Sequence, residues 1–121
     1  MNAAVWAAVM FIGGLGAVAR FVVDRTVARR VGGPFPIGTL TVNVSGSLLL
    51  GFISGLVLSH TAALLAGTAF TGAFTTFSTW MFETQRLAEE LQIKAALANL
   101  VVSLILGLAA AALGQWIASL L

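Results

Sequence analysis

The chain has 121 residues, of which 60% are hydrophobic and only 8% charged, with no cysteine and a net charge of +2. A soluble domain carries about 25% charge, so so few ionised side chains cannot keep a surface of this size in water, and a soluble fold is excluded. The isoelectric point of about 10.6 reflects six basic residues against four acidic ones with no basic face to hold them, which argues against nucleic-acid binding; the lack of cysteine excludes disulfides and thiolate metal sites.

Three stretches carry no charge at all: residues 1–19, 31–82 and 95–121. A spanning helix needs about 20 apolar residues, and one charge at its centre costs about 3 kcal/mol. The first helix is predicted over residues 3–23. It lacks a basic segment ahead of its apolar run, so it reads as a retained helix rather than a signal peptide. The connector 24–36 contains Gly32-Gly33-Pro34-Phe35-Pro36, which no helix crosses. Residues 37–82 would make a single helix roughly 70 Å long, more than twice the hydrocarbon thickness. The polar run Ser59-His60-Thr61 divides them into helices over 37–58 and 62–82. A charged connector, 83–94, leads to a fourth helix over 95–119. The expectation is one all-α domain, 1–121, with four transmembrane helices. All six Lys and Arg residues lie in or beside the 24–36 and 83–94 connectors, which places both connectors in the cytoplasm and both termini outside.

Polar groups inside a bilayer need partners, and three clusters stand out. Thr39, Asn43, Ser47, Gly51 and Gly55 follow one another at intervals of four, forming one helix stripe with Gly46 beside it. Gly51 and Gly55 suit close helix packing. Asn43 brings two N–H donors, and a carboxamide at membrane depth is costly unless satisfied. The run from Thr71 to Trp80 holds Gly72 and the hydroxyls of Thr71, Thr75, Thr76, Ser78 and Thr79. These residues compete for backbone hydrogen bonds and predict a third helix broken near its middle, although hydroxyls bonding back to their own helix would be the plain alternative. Irregular backbone at that depth must be buried in protein or line water. Asn99, Ser103 and Gly107 repeat the four-residue stripe on helix four, and Asn99 needs a partner, with Asn43 or the helix-three hydroxyls the obvious choices.

Arg20 is the deepest charge and can snorkel to the interface. No carboxylate lies within a span, whereas proton-coupled pumps commonly carry one. The intramembrane set is therefore hydroxyls, amides and aromatic rings, which suits a small anion that must shed water and still leave. Phe74, Phe77 and Trp80, spaced by three, share roughly one face, and positive ring edges can meet an anion. Such rings are also ordinary core.

Several motifs resemble the fluoride channel family (Fluc, also called CrcB). Residues Gly13 to Arg20 are similar to its opening G-G-x-x-G-A-x-x-R motif, one residue short. Gly38-Thr39-Leu40-Thr41-Val42-Asn43 with Gly46 resembles G-T-L-x-V-N-x-x-G, and Gly72 to Trp80 resembles G-x-x-T-T-F-S-T-F. The likeness spans nearly the whole chain in order. It implies a channel that exports cytoplasmic fluoride across the cell membrane through an antiparallel, dual-topology dimer with two pores. Phe77 and Trp80 match the aromatic pair lining the pore, Asn43 the pore asparagine, Thr39, Ser78 and Thr79 the hydroxyl track, and Ser103 the helix-four serine. Arg20 matches a basic residue at the mouth and Glu83 a glutamate ending helix three. Gly72 and Thr75 match the positions whose carbonyls hold a structural sodium ion, Na+, that is not transported. Two positions depart: the second pore aromatic is Trp80 rather than Phe, and Asn99 stands where some members have Tyr.

Rival classes fit less well. A small multidrug exporter needs a membrane-embedded glutamate in helix one, and none is present. A non-transporting membrane subunit would not need Asn43 and the hydroxyl run together. No serine is paired with a base and His60 stands alone, so no enzyme is expected. The one-sided Lys and Arg distribution predicts insertion mainly one way and pairing with an oppositely oriented homologue; a homodimer stays open beside it.

Overall fold

The computed structural model describes residues 2–121, and the elements they form are all helices. Helix α1 runs Ala3–Val31, capped by the Asn2 side chain, which accepts from the Val5 amide at 2.9 Å. Gly32 ends it at a positive φ of 69°, a backbone conformation that favours glycine, with its amide bonded to the Ala28 carbonyl. Helix α2 covers Ile37–Ser54. A short helix α3, His60–Ala63, is capped by Ser59 and passes into a π-helical segment, Leu64–Thr71. Helix α4 is Gly72–Phe74, α5 is Ser78–Glu89 and α6 is Ile93–Ser119.

Helices α1, α2 and α6 are each long and apolar enough to cross a membrane. The chain is thus a multi-pass membrane protein. The predicted third span, 62–82, is instead a composite of α3, the π-helical segment, α4 and α5, interrupted at residues 75–77. That interruption falls inside the hydroxyl run where a break was expected; the π-helical stretch before it was not foreseen.

The predicted helix ends need correction at the charged connectors. Helix one continues to Val31 instead of stopping at 23, and α5 runs on to Glu89 instead of 82. Hydropathy marks where the bilayer ends, but Arg, Glu and Gln are good helix formers, and water does not stop a helix. Helix two ends earlier than predicted, at Ser54 rather than 58, with Gly55 as its C-cap. Helix four starts at Ile93, two residues before the expected 95.

Helix α2 is the hub of the bundle. It packs most extensively on α6, and the two run parallel: Ser47 lies opposite Gly107, Gly51 against Ala111, and Gly55 against Gln115 and Ala118. A side chain at Gly51 would strike the Ala111 carbonyl, and one at Gly114 the Leu48 carbonyl, so the four-residue stripe works as a backbone-to-backbone seam. Since α2 and α6 point the same way, the chain between them must return from one end of the bundle to the other. The composite segment makes that return. It runs beside α1, where Gly16 abuts the Phe70 carbonyl, and antiparallel to α2, where Gly46 faces Thr75 and Phe74.

Candidate functional site

The interruption at 75–77 sits level with the middle of α2. Thr75 is extended, φ −88° and ψ 161°, so the helical path opens there. Asn43 splints the opening from across the bundle. Its Nδ2 donates to the Thr76 carbonyl at 2.8 Å, and its Oδ1 accepts from the Thr76 amide at 2.8 Å. This two-point bond satisfies both backbone groups of one residue, which buried irregular backbone requires. One of the two N–H groups of Asn43 is thereby spent on the fold.

The restart of the helix has its own cap. The Thr76 hydroxyl accepts from the Thr79 amide at 3.2 Å and donates to the Thr79 hydroxyl at 3.1 Å, an arrangement in which a side-chain oxygen supplies a first-turn amide. Two carbonyls lose their usual partners as a result. The Thr76 amide goes to Asn43 rather than to Gly72, and the Thr79 amide goes to Thr76 Oγ1 rather than to Thr75. Gly72 lies at the open face of the bundle with nothing near the place of a side chain.

A groove of about 350 Å³ opens beside the break. It gathers Asn43, Phe77, Trp80 and Ser103 from α2, the broken segment and α6, with Ser47, Thr75 and Thr76 completing the polar part. Its lining holds no charged side chain. Phe77 is 70% exposed and meets Trp80 edge to face, with centroids 5.7 Å apart and planes at 85°. Phe74 does not join them: it is buried and stacked on Phe70 at 5.9 Å. The shared face expected of Phe74, Phe77 and Trp80 is therefore divided, because the extended residue between them resets the helical phase.

The remaining predicted residues lie around the groove. Thr39 is buried near the start of α2, where its hydroxyl faces the Glu83 carboxyl without meeting it in hydrogen-bond geometry. Among the described residues, Thr39 Oγ1 and Glu83 Oε1 are the buried side-chain oxygens with no partner. The Asp24 carboxylate lies against Gly38 in the first turn of α2, where the helix dipole favours an anion. Ser78 is exposed at the restart, Thr79 is bonded to Thr76, and Arg20 is half-buried on α1; none of these lines the groove. Asn99 finds its partners in α5, bonding Thr84 and Trp80 instead of Asn43 or the hydroxyls of the break. Thr76 was marked only as one of the hydroxyl run, not as cap and clamp at once, and Thr84 was not singled out by sequence reasoning. The Thr76-x-x-Thr79 spacing is the signal that could have marked the first.

A family profile described as "CrcB-like protein, Camphor Resistance (CrcB)" matches residues 7–115. The chain is 64% identical over 120 residues to "Fluoride-specific ion channel FluC 2" of Mycobacterium tuberculosis, covering 99% of this chain and 95% of that protein. The same-named protein of Mycolicibacterium paratuberculosis is 68% identical over 117 residues, covering 97% and 96%. "Fluoride-specific ion channel FluC 1" of Leifsonia xyli is 44% identical over 117 residues, covering 93% and 85%. The motifs at Gly38 to Gly46 and Gly72 to Trp80 thus carry a true kinship, and the chain belongs to the CrcB-like family.

Proposed function

We propose that this protein is a fluoride channel that lets fluoride leave the cytoplasm across the cell membrane, lowering its concentration and toxicity there. The observation that carries the reading is the uncharged groove at the broken helix, seen in a chain whose relatives are named fluoride-specific channels. Fluoride entering such a groove exchanges water for neutral donors and ring edges. It meets no fixed cation that would hold it, which is the balance conduction needs. Asn43 offers its remaining N–H and Phe77 and Trp80 their ring edges, while the Ser103 hydroxyl lines the groove with its proton directed to Asn99 Oδ1. Thr39, Ser78 and Thr79 extend the hydroxyl track, and Arg20 draws anions toward the mouth.

The protein makes four traverses, a reading supported by the parallel arrangement of α2 and α6, with the composite segment as the third. The working unit is an antiparallel dimer. Exposed Phe77 and the open face at Gly72 are surfaces that a second subunit covers. The carbonyls of Gly72 and Thr75, set free at the break, suit a hard cation that prefers oxygen donors. The same pair from a second subunit doubles the set, and these residues would hold a structural sodium ion that is not transported. Its binding favours the assembled state by linkage. The second subunit is either another copy or a homologue of opposite charge bias; a reporter fused to the C-terminus distinguishes them, with signal on both sides marking the homodimer.

The test is anion efflux from liposomes containing only the purified chain. Fluoride should leave and chloride should not; equal fluxes overturn the reading. Replacing sodium by a large organic cation should impair fluoride efflux, and unchanged flux after exhaustive sodium removal rejects the sodium site.

A further inference from the structure

Trp80 brings something to the groove that a phenyl ring lacks, an N–H donor. A free indole N–H beside a desolvated fluoride would form a charge-assisted hydrogen bond, roughly twice as strong as a neutral one. Asn43 already offers one such bond, and a pathway that must release its ion is harmed by a second grip of this kind. In this protein the donor is occupied: Trp80 Nε1 donates to the backbone carbonyl of Asn99 at 3.0 Å. The indole therefore turns its N–H toward α6 and shows the groove only carbon-bound edges and its face.

The bond is held in place by a clasp of side chains. Asn99 is 1% exposed, and its Nδ2 donates to Thr84 Oγ1 at 2.8 Å and to the Trp80 carbonyl at 3.4 Å. Thr84 Oγ1 in turn donates to the same Trp80 carbonyl at 2.8 Å, and Ser103 Oγ donates to Asn99 Oδ1 at 3.4 Å. Every polar group of the Asn99 side chain is engaged, and two of its bonds converge on Trp80 and the residue one turn beyond it. A buried amide satisfied this fully fixes one arrangement of its neighbours. We infer that Asn99 is a positioning residue: it locks α5 against α6 so that the indole N–H of Trp80 stays bonded to α6, which lets a tryptophan serve where a plain aromatic ring lines the ion path.

This inference rests on the fluoride-channel reading, and wild-type efflux separates the two. Wild-type liposomes silent for fluoride reject that reading; a conducting wild type leaves the inference to be judged by the following cycle. Asn99→Leu keeps the branched outline of the side chain and removes the donors. With Trp80 present it should slow fluoride efflux by about tenfold, and in a Trp80→Phe background by less than about twofold, a coupling within the range seen for contacting residues. Thr84→Val breaks the clasp from the α5 side and should reproduce the Trp80-dependent loss if Asn99→Leu does not assemble. A second readout uses Trp6→Phe and Trp116→Phe to leave Trp80 as the sole fluorophore. Added fluoride should then alter indole emission in Asn99→Leu but not in its parent, because only the released N–H can meet the ion. Equal losses in the Trp80 and Phe backgrounds, or emission indifferent to fluoride in both chains, overturn the inference.

Discussion

Helix α2 meets its neighbours in two contrasting ways. Toward α6, Gly51, Gly55 and Gly114 remove side chains so that two backbones touch, and the contact is steric. Toward the broken segment, Gly46 again makes room, but Asn43 then reaches across to bond both backbone groups of Thr76. The same stripe of four-residue intervals thus builds a seam on one side and a splint on the other. Glycine spacing alone marks close approach; an amide within the stripe marks the place where the facing backbone has left the helix and must be satisfied from outside.

The two contacts should fail differently. Asn43→Leu strips the Thr76 amide and carbonyl of their partners, at about 1–3 kcal/mol for each buried group. Fluoride efflux should fall to the level of empty liposomes, because the groove is shaped by this splint. Retained efflux would mean that the break is held by something else. Gly51→Val drives a side chain into the Ala111 carbonyl and should cost about 1–3 kcal/mol by overpacking, read as a lower unfolding midpoint in detergent. What protein survives should keep its preference for fluoride over chloride, since Asn43, Phe77 and Trp80 are unchanged even though the displaced Ala111 lines the groove. Gly107→Ala is the mild counterpart. Its added carbon would meet Ser47 Oγ at 3.6 Å, an ordinary contact, so the midpoint should move by less than about 1 kcal/mol, with helix propensity gaining roughly that much at most. A large loss there would show that the seam is tighter than its geometry indicates.

Much of this was legible in the chain because a bilayer leaves few options. The uncharged stretches located the three helices long and apolar enough to cross a membrane, and the density of hydroxyls between Thr71 and Thr79 located the break. The ends of α1 and α5 were not legible, since hydropathy reports the membrane boundary while helix propensity carries both helices past it. The π-helical turns before the break pack on α1, where Gly16 meets the Phe70 carbonyl, a tertiary contact that no local pattern encodes. Periodicity also misplaced Phe74: spacing by three holds a common face only along an unbroken helix, and Thr75 is extended. Asn99 was correctly marked as needing a partner, but its bonds to Thr84 and Trp80 depend on how α5 resumes after the break. Around the groove, Asn43, Phe77, Trp80 and Ser103 come together from motifs read separately, while Thr39, Ser78, Thr79 and Arg20 lie outside its lining.

The central claim is that fluoride passes along the groove at the break, against the exposed ring of Phe77. The most direct measurement is fluoride efflux from liposomes reconstituted with Phe77→Ile. This substitution keeps a bulky apolar side chain at a 70%-exposed position but removes the ring edge, so the purified protein should elute as the wild type does. Efflux indistinguishable from that of empty liposomes is the predicted result. Wild-type efflux through Phe77→Ile would contradict the account and place the fluoride path elsewhere in the bundle.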